Sequence, residues 1–233
     1  MFNLRLLRYR FSRFHQAIAE KGLLWTLGYI FRYIEDRFCN KIEEFKSRAW
    51  DHVLTFSSKK NDQKKQIKTV TFTEFQKIRK EDRYYDGRWG YFKKAISIAK
   101  KESPAKVLEL GPRRLPIIRG SDIMDNLAHG EELTYVHDAK ITPWPVKDAS
   151  YDMFIGLQVW EHLGDKQARA FKEVMRISKS AILSFPYKCY SPGDCHHDID
   201  EKKIAEWTLH IMPEKIIKTG QIIIYFFNFG AQK

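Results

Sequence analysis

Apolar residues recur at helical spacing from the start of the chain. Leu4, Leu7, Phe11, Phe14 and Ile18 fall on one stripe while Arg5, Arg8, Arg10 and Arg13 lie elsewhere on the wheel, which predicts an amphipathic helix with an arginine-rich polar side. Lys21-Gly22 interrupts it, and a second stripe through Leu23, Leu27, Ile30, Ile34 and Phe38 predicts another helix. Positions 57–65 hold no apolar residue. A stretch that buries nothing cannot offset the entropy of ordering it, so 57–84 reads as a polar linker. Helical spacing resumes at Trp89 through Phe92, Ala95, Ile96, Ile98 and Ala99, and breaks before Ser103-Pro104.

From Lys106 onward the pattern changes to short apolar runs ending at Leu110, Asp125, Val136, Leu157 and Phe185, separated by helical or polar stretches. That is the rhythm of a parallel sheet. At the end, 214–218 and 221–229 are rich in β-branched and aromatic residues around a Thr219-Gly220 turn, which predicts an antiparallel hairpin. The expected fold is α/β: a Rossmann-like, mostly parallel sheet of about six or seven strands with a C-terminal antiparallel hairpin, plus an N-terminal helical extension. Its parts are a basic amphipathic segment over 1–56, the linker over 57–84 and one α/β domain over 85–233. Only ten residues, 111–120, separate the first two strands, and Pro112 and Pro116 are among them. A full crossover helix does not fit there.

Charge changes the picture only once it is located. The net charge is +12; residues 1–100 hold 23 Lys/Arg against 11 Asp/Glu, whereas 101–233 hold 18 of each. A neutral core with a basic front end implies that the front end meets something anionic. Phospholipid, anionic glycan and nucleic acid all qualify. Arginines on one side of a helix with Phe, Leu and Trp on the other suit an anionic membrane surface for residues 1–40, and the competing reading packs both stripes on the core. The lysine run reads as a solvated loop, so nucleic acid is not the expected partner. No apolar stretch approaches the roughly 20 residues of a bilayer span. The three cysteines, Cys39, Cys189 and Cys195, lack Cys-x-x-Cys spacing, and no signal-peptide pattern is present. A cytoplasmic setting is expected, peripheral on the inner face of the membrane.

The candidate chemistry begins at Val107-Leu108-Glu109-Leu110-Gly111-Pro112, a strand with an acidic residue and a glycine turn, where open α/β sheets bind ligands. Asp138, Pro143-Trp144-Pro145, Asp148-Ala149-Ser150-Tyr151-Asp152, Glu161-His162-Leu163, Glu173-Val174-x-Arg176-Ile177 and Ser184-Phe185-Pro186 follow. This ordered set, over about residues 85–230, closely resembles the type-11 branch of class I S-adenosylmethionine-dependent methyltransferases. The resemblance implies S-adenosylmethionine as cofactor. Glu109 and Gly111, with Pro112 in the same turn, would lie at its methionine end. Asp125 would accept from the ribose hydroxyls, and Asp138 from the adenine amino group beside the Ala139 backbone. Gln158 would lie under the sulfonium, and Glu161-His162 would begin the next helix. The family repeats glycine through the first turn, whereas here Arg113 and Leu115 crowd it.

The segment 189–200 contains Cys195-His196-His197-Asp198 on a loop that faces the substrate in the resembled family. A histidine there could take the proton of a hydroxyl as the methyl arrives, which makes His196 and His197 the candidate catalytic residues. A metal site of Cys195, His196, His197 and an aspartate is not expected, because adjacent residues rarely converge on one ion. The bland reading has these side chains capping a helix near Asp200. The expected reaction is oxygen methylation of a saccharide or glycolipid acceptor in bacterial cell-surface polysaccharide assembly, as the resemblance suggests. A non-catalytic methyltransferase fold kept for binding or scaffolding is the alternative. Nucleic-acid methylation would call for an Asn/Asp-Pro-Pro-Tyr/Phe motif, which Ser184-Phe185-Pro186-Tyr187 only loosely approximates.

Overall fold

The computed structural model describes residues 16–24, 26, 27, 30, 34 and 67–230. Seven strands form one sheet: β1 (Val107–Leu110), β2 (Asp122–Asp125), β3 (Tyr135–Val136), β4 (Met153–Leu157), β5 (Ser180–Pro186), β6 (Lys215–Thr219) and β7 (Ile222–Asn228). Their order is β3-β2-β1-β4-β5-β7-β6. The first five run parallel, and β7 pairs antiparallel with both β5 and β6. This is the Rossmann-like sheet expected from the sequence, with β7 slotted inside and β6 at the edge.

Burial on both faces explains why the central strands are largely apolar. Leu108, Phe154, Leu183 and Tyr225 face one cluster with helices α3 (Gln167–Ile177) and α4 (Glu201–Trp207). Val107, Met153, Ile155, Ile182 and Ile224 face the other, against α1 (Phe72–Glu81) and α2 (Trp89–Glu102). Strands buried on both faces carry apolar residues at both parities.

Helix α1 corrects the linker reading for 67–84. A capping box starts it: the Thr71 hydroxyl accepts from the Glu74 amide and the Glu74 carboxylate accepts from the Thr71 amide, which satisfies two otherwise orphaned donors. Phe72 and Phe75 are buried against Tyr85, Trp89 and Phe92. Val70 donates to Ile117 and Arg119 to Lys68, so this segment is pinned to the β1–β2 connection. That connection contains no helix among 111–121, as its length and prolines require. Positions 57–66 lie outside the described residues.

Of the N-terminal stripes, only part can be placed. Residues 16–21 are helical, and the break falls at Gly22 with φ +83. Ala17 and Thr26 are buried while Leu23, Leu24, Leu27 and Ile34 are exposed. Glu20 accepts from the Tyr190 hydroxyl at 2.6 Å, and the Lys21 ammonium lies 2.8 Å from Asp198. This stretch therefore rests on the loop after β5. Leu4 to Phe14 and Phe38 lie outside the described residues.

Candidate functional site

A cleft of about 390 Å³ opens at the carboxyl ends of β1 to β4, within the range of small-molecule sites. Strand order reverses between β1 and β4, which is where α/β sheets place their ligands. Gly111, Asp125, Asp138, Ala139, Gln158 and His162 all line it. The fold thus gathers these six residues, distant in sequence, around one space.

Their positions follow from the backbone. Gly111 has φ +61, and a Cβ there would stand 3.0 Å from Val159 Cγ2; both the conformation and the approach favour glycine. Asp125 ends β2 and is held where its Oδ1 accepts from the Asn126 amide at 2.8 Å. Asp138 follows β3, with Oδ1 accepting from the Lys140 amide at 2.9 Å. Each carboxylate thus keeps a second oxygen without a described hydrogen-bond partner. Gln158, at φ +57, donates its amide to Ser184 Oγ at 3.0 Å and its side-chain Nε2 to the same oxygen at 3.2 Å.

Glu109 does something other than the sequence reading assigned. It lies outside the cleft lining and is 2% exposed. Its carboxylate accepts from the Ile117 amide, the Ile118 amide and the Ser121 hydroxyl, each at 2.8 Å. That acceptor capacity pins the helix-less crossover, so Glu109 shapes the glycine turn. Burial pushes its carboxyl up to about 7 against the pull of these donors. Pro112 is displaced likewise: it borders a small hollow beside Glu109 and not the main cleft.

The two residues that were expected to crowd the turn part company. Leu115 points into the core, 4% exposed. Arg113, at φ +53, lines the cleft with its guanidinium 4.0 Å from the centre of the Tyr84 ring, whose centre also lies 3.7 Å from the Arg88 guanidinium carbon. Tyr84, His137 and Lys140 also line the cleft. None of the three stands out in the sequence, where Tyr84 falls at the end of the expected linker.

At the far end, Trp160–His162 forms a single 3₁₀ turn, not the start of the next helix, which begins at Gln167. His162 meets the loop after β5: its Nδ1 is 3.2 Å from Cys195 Sγ, and its ring stands edge-on to His196 with centroids 5.1 Å apart. His196 Nδ1 lies 2.7 Å from Asp194 Oδ1 and its Nε2 3.5 Å from Glu161 Oε1. Glu161 and then Asp194 hold this imidazole above the ordinary histidine range. His197 turns away. Its Nδ1 accepts from the Ser191 amide, its Nε2 lies 3.3 Å from Asp198 and its ring packs on Tyr190. Of the two histidines, His196 faces His162 and His197 faces Tyr190 and Asp198. Asp200 caps α4 by accepting from Lys203, so neither histidine is a cap.

Several motif residues support the cleft from behind. Arg176 donates to the Trp144 and Val146 carbonyls and pairs with Glu173 and Asp148, while Glu173 accepts from the Trp144 amide. Trp144 donates its indole N–H to the Ala139 carbonyl at 3.0 Å. The loop that carries Asp138 and Ala139 is fixed this way.

No protein-family model and no curated protein matches the chain. Among solved structures it is similar to the PH0226 protein of Pyrococcus horikoshii OT3, at 13% identity over 63% of this chain and 92% of that one, with a TM-score of 0.47. It is also similar to an S-adenosylmethionine-dependent methyltransferase from Clostridium acetobutylicum ATCC 824, at 11% identity over 67% and 98% of the two chains, TM-score 0.46. A third is the "possible histamine N-methyltransferase" of Thermotoga maritima, at 11% identity over 66% and 97%, TM-score 0.46.

Proposed function

We propose that this chain is an S-adenosylmethionine-dependent methyltransferase that methylates a hydroxyl oxygen of a saccharide acceptor. The strand order, with β7 antiparallel between β5 and β6, is that of the class I methyltransferase fold. The observation that carries the reading is the placement of two carboxylates, Asp125 and Asp138, on one wall of the cleft, with Gly111 and Gln158 bordering the same space. Two acceptors, one at the end of β2 and one just after the adjacent β3, suit the ribose hydroxyls and an adenine amino group. The bare Gly111 turn leaves room for backbone to approach a ligand closely.

S-adenosylmethionine supplies a methyl group on a positively charged sulfur, open to in-line displacement. The chain's part is to position both reactants and to manage one proton. Gln158, anchored twice to Ser184, sets the floor between the nucleotide side and His162. His196, held between Asp194 and Glu161, is the base that takes the hydroxyl proton as the acceptor oxygen forms its new bond to carbon. The basic front end supports an anionic membrane surface as second partner: the first nineteen positions contain four arginines and no acidic residue.

Incubation with labelled S-adenosylmethionine and cell-envelope glycan extracts tests the reading. His196→Ala lowers turnover by at least about a hundredfold while binding of S-adenosylhomocysteine is kept. Full turnover in that variant defeats the assignment of the base, and absence of labelled glycan with wild-type protein defeats the acceptor.

A further inference from the structure

We infer that His162, Cys195 and His196 form a binding site for a divalent transition ion of the zinc type, set at the acceptor end of the cleft. One donor atom from each of the three lies within 4.8 Å of the other two. Cys195 Sγ is 3.2 Å from His162 Nδ1 and 3.8 Å from His196 Nδ1. A tetrahedral ion with bonds of about 2.1 Å to nitrogen and 2.3 Å to sulfur needs sulfur-to-nitrogen edges of about 3.6 Å. The two measured edges bracket that value. The residues come from two loops, His162 from the turn after β4 and the others from the loop after β5. The grouping is thus a product of the fold and not of adjacent residues alone.

A second, independent observation is Glu161. Its side chain is 0% exposed, and neither carboxylate oxygen has a hydrogen-bond partner. A buried carboxylate left this way is costly. On the site side, His196 Nε2 stands 3.5 Å from its Oε1. If His196 gives Nδ1 to an ion, Nε2 must carry the proton and point it at Glu161. Metal-binding histidines regularly donate their outer N–H to a carboxylate in this manner, which fixes the tautomer. The ion thus turns the 3.5 Å approach of His196 to Glu161 into a fixed N–H donor for that carboxylate. Asp194, whose Oδ1 is 2.7 Å from His196 Nδ1 and 3.2 Å from Cys195 Sγ, stands at the edge of the same space.

Three protein donors leave one position open, the pattern of catalytic rather than structural zinc. His162 also lines the cleft, so the open position is beside it. The role, though not the existence, of this site rests on the methyltransferase reading. With the ion bound, His196 is a ligand and no longer the base proposed above for the metal-free chain, and an acceptor hydroxyl at the open position releases its proton to solvent more readily because the ion stabilises the alkoxide.

The test is titration of the chelator-treated full chain with Co²⁺ and Zn²⁺, with S-adenosylhomocysteine titrated into the same samples. One Co²⁺ per chain with a thiolate-to-cobalt absorption band is expected. The band is lost in Cys195→Ser, Zn²⁺ affinity falls at least about tenfold in His162→Ala and His196→Ala, and His197→Ala keeps wild-type binding. Glu161→Gln weakens the ion roughly 10- to 100-fold, the usual cost of removing an outer carboxylate. No band, a band that survives Cys195→Ser, or equal affinity in all variants overturns the site. If His196→Ala does not fold, the exposed Cys195 and His162 decide alone. Cofactor binding without any metal binding sinks this inference and leaves the methyltransferase reading standing. Metal binding without cofactor binding does the reverse.

Discussion

Glu109 makes a prediction that the resemblance alone would not. Burial raises its folded-state pKa from an ordinary 4.5 to about 7. Between those values the folded chain keeps a proton that the unfolded chain has released, so stability falls as pH rises. The contribution is complete below about 4.5 and lost as pH passes 7. At about 1.4 kcal/mol per pH unit, the interval from 4.5 to about 7 amounts to roughly 3 kcal/mol. Glu109→Gln removes the titration. The substituted amide still accepts through one oxygen, but its NH₂ faces one of the two amide donors of Ile117 and Ile118, leaving a buried donor unpaired at about 1–3 kcal/mol. Urea unfolding of both proteins at pH 5, 6, 7 and 8 reads the difference. The variant is expected to be the less stable at pH 5, with the gap closing by about pH 8. A gap that is constant or widens with pH refutes the assignment of the raised pKa to Glu109.

Gly111→Ala places a side chain in the left-handed region, 3.0 Å from Val159; thermal unfolding should show a loss of about 1–2 kcal/mol, and an unchanged midpoint would mean that the turn tolerates a Cβ. Removal of residues 1–40 should release the protein from anionic vesicles, where binding of the intact chain should weaken with salt. Cosedimentation reads this, and a deletion that unfolds the α/β domain would show instead that the Ala17 and Thr26 contacts belong to its core.

The parallel strands were legible because two-sided burial writes them as apolar runs: Val107 to Leu110 and Met153 to Leu157 admit few other readings. Helix α1 was not, although Thr71 and Glu74 spelled its capping box. Only Phe72 and Phe75 are buried in it, too few to outweigh the lysine run before it. That Asp125 and Asp138 face one cleft was legible because a position at or just after a strand's carboxyl end decides what an aspartate faces. The role of Glu109 depended on the path of 112–121, which no local pattern encodes. His196 and His197 are neighbours in sequence that face opposite ways, and Cys195 meets His162 across 33 residues. Such meetings are made by loop geometry, for which the sequence carries no periodic signal.

Calorimetric titration of the full chain with S-adenosylhomocysteine tests the central claim most directly. One site per chain is expected, and Asp138→Ala or Asp125→Ala should weaken it by about tenfold to a hundredfold, the scale of a hydrogen bond lost to a charged acceptor. No heat of binding from wild-type protein, or affinity unchanged in both variants, would contradict the account of this cleft.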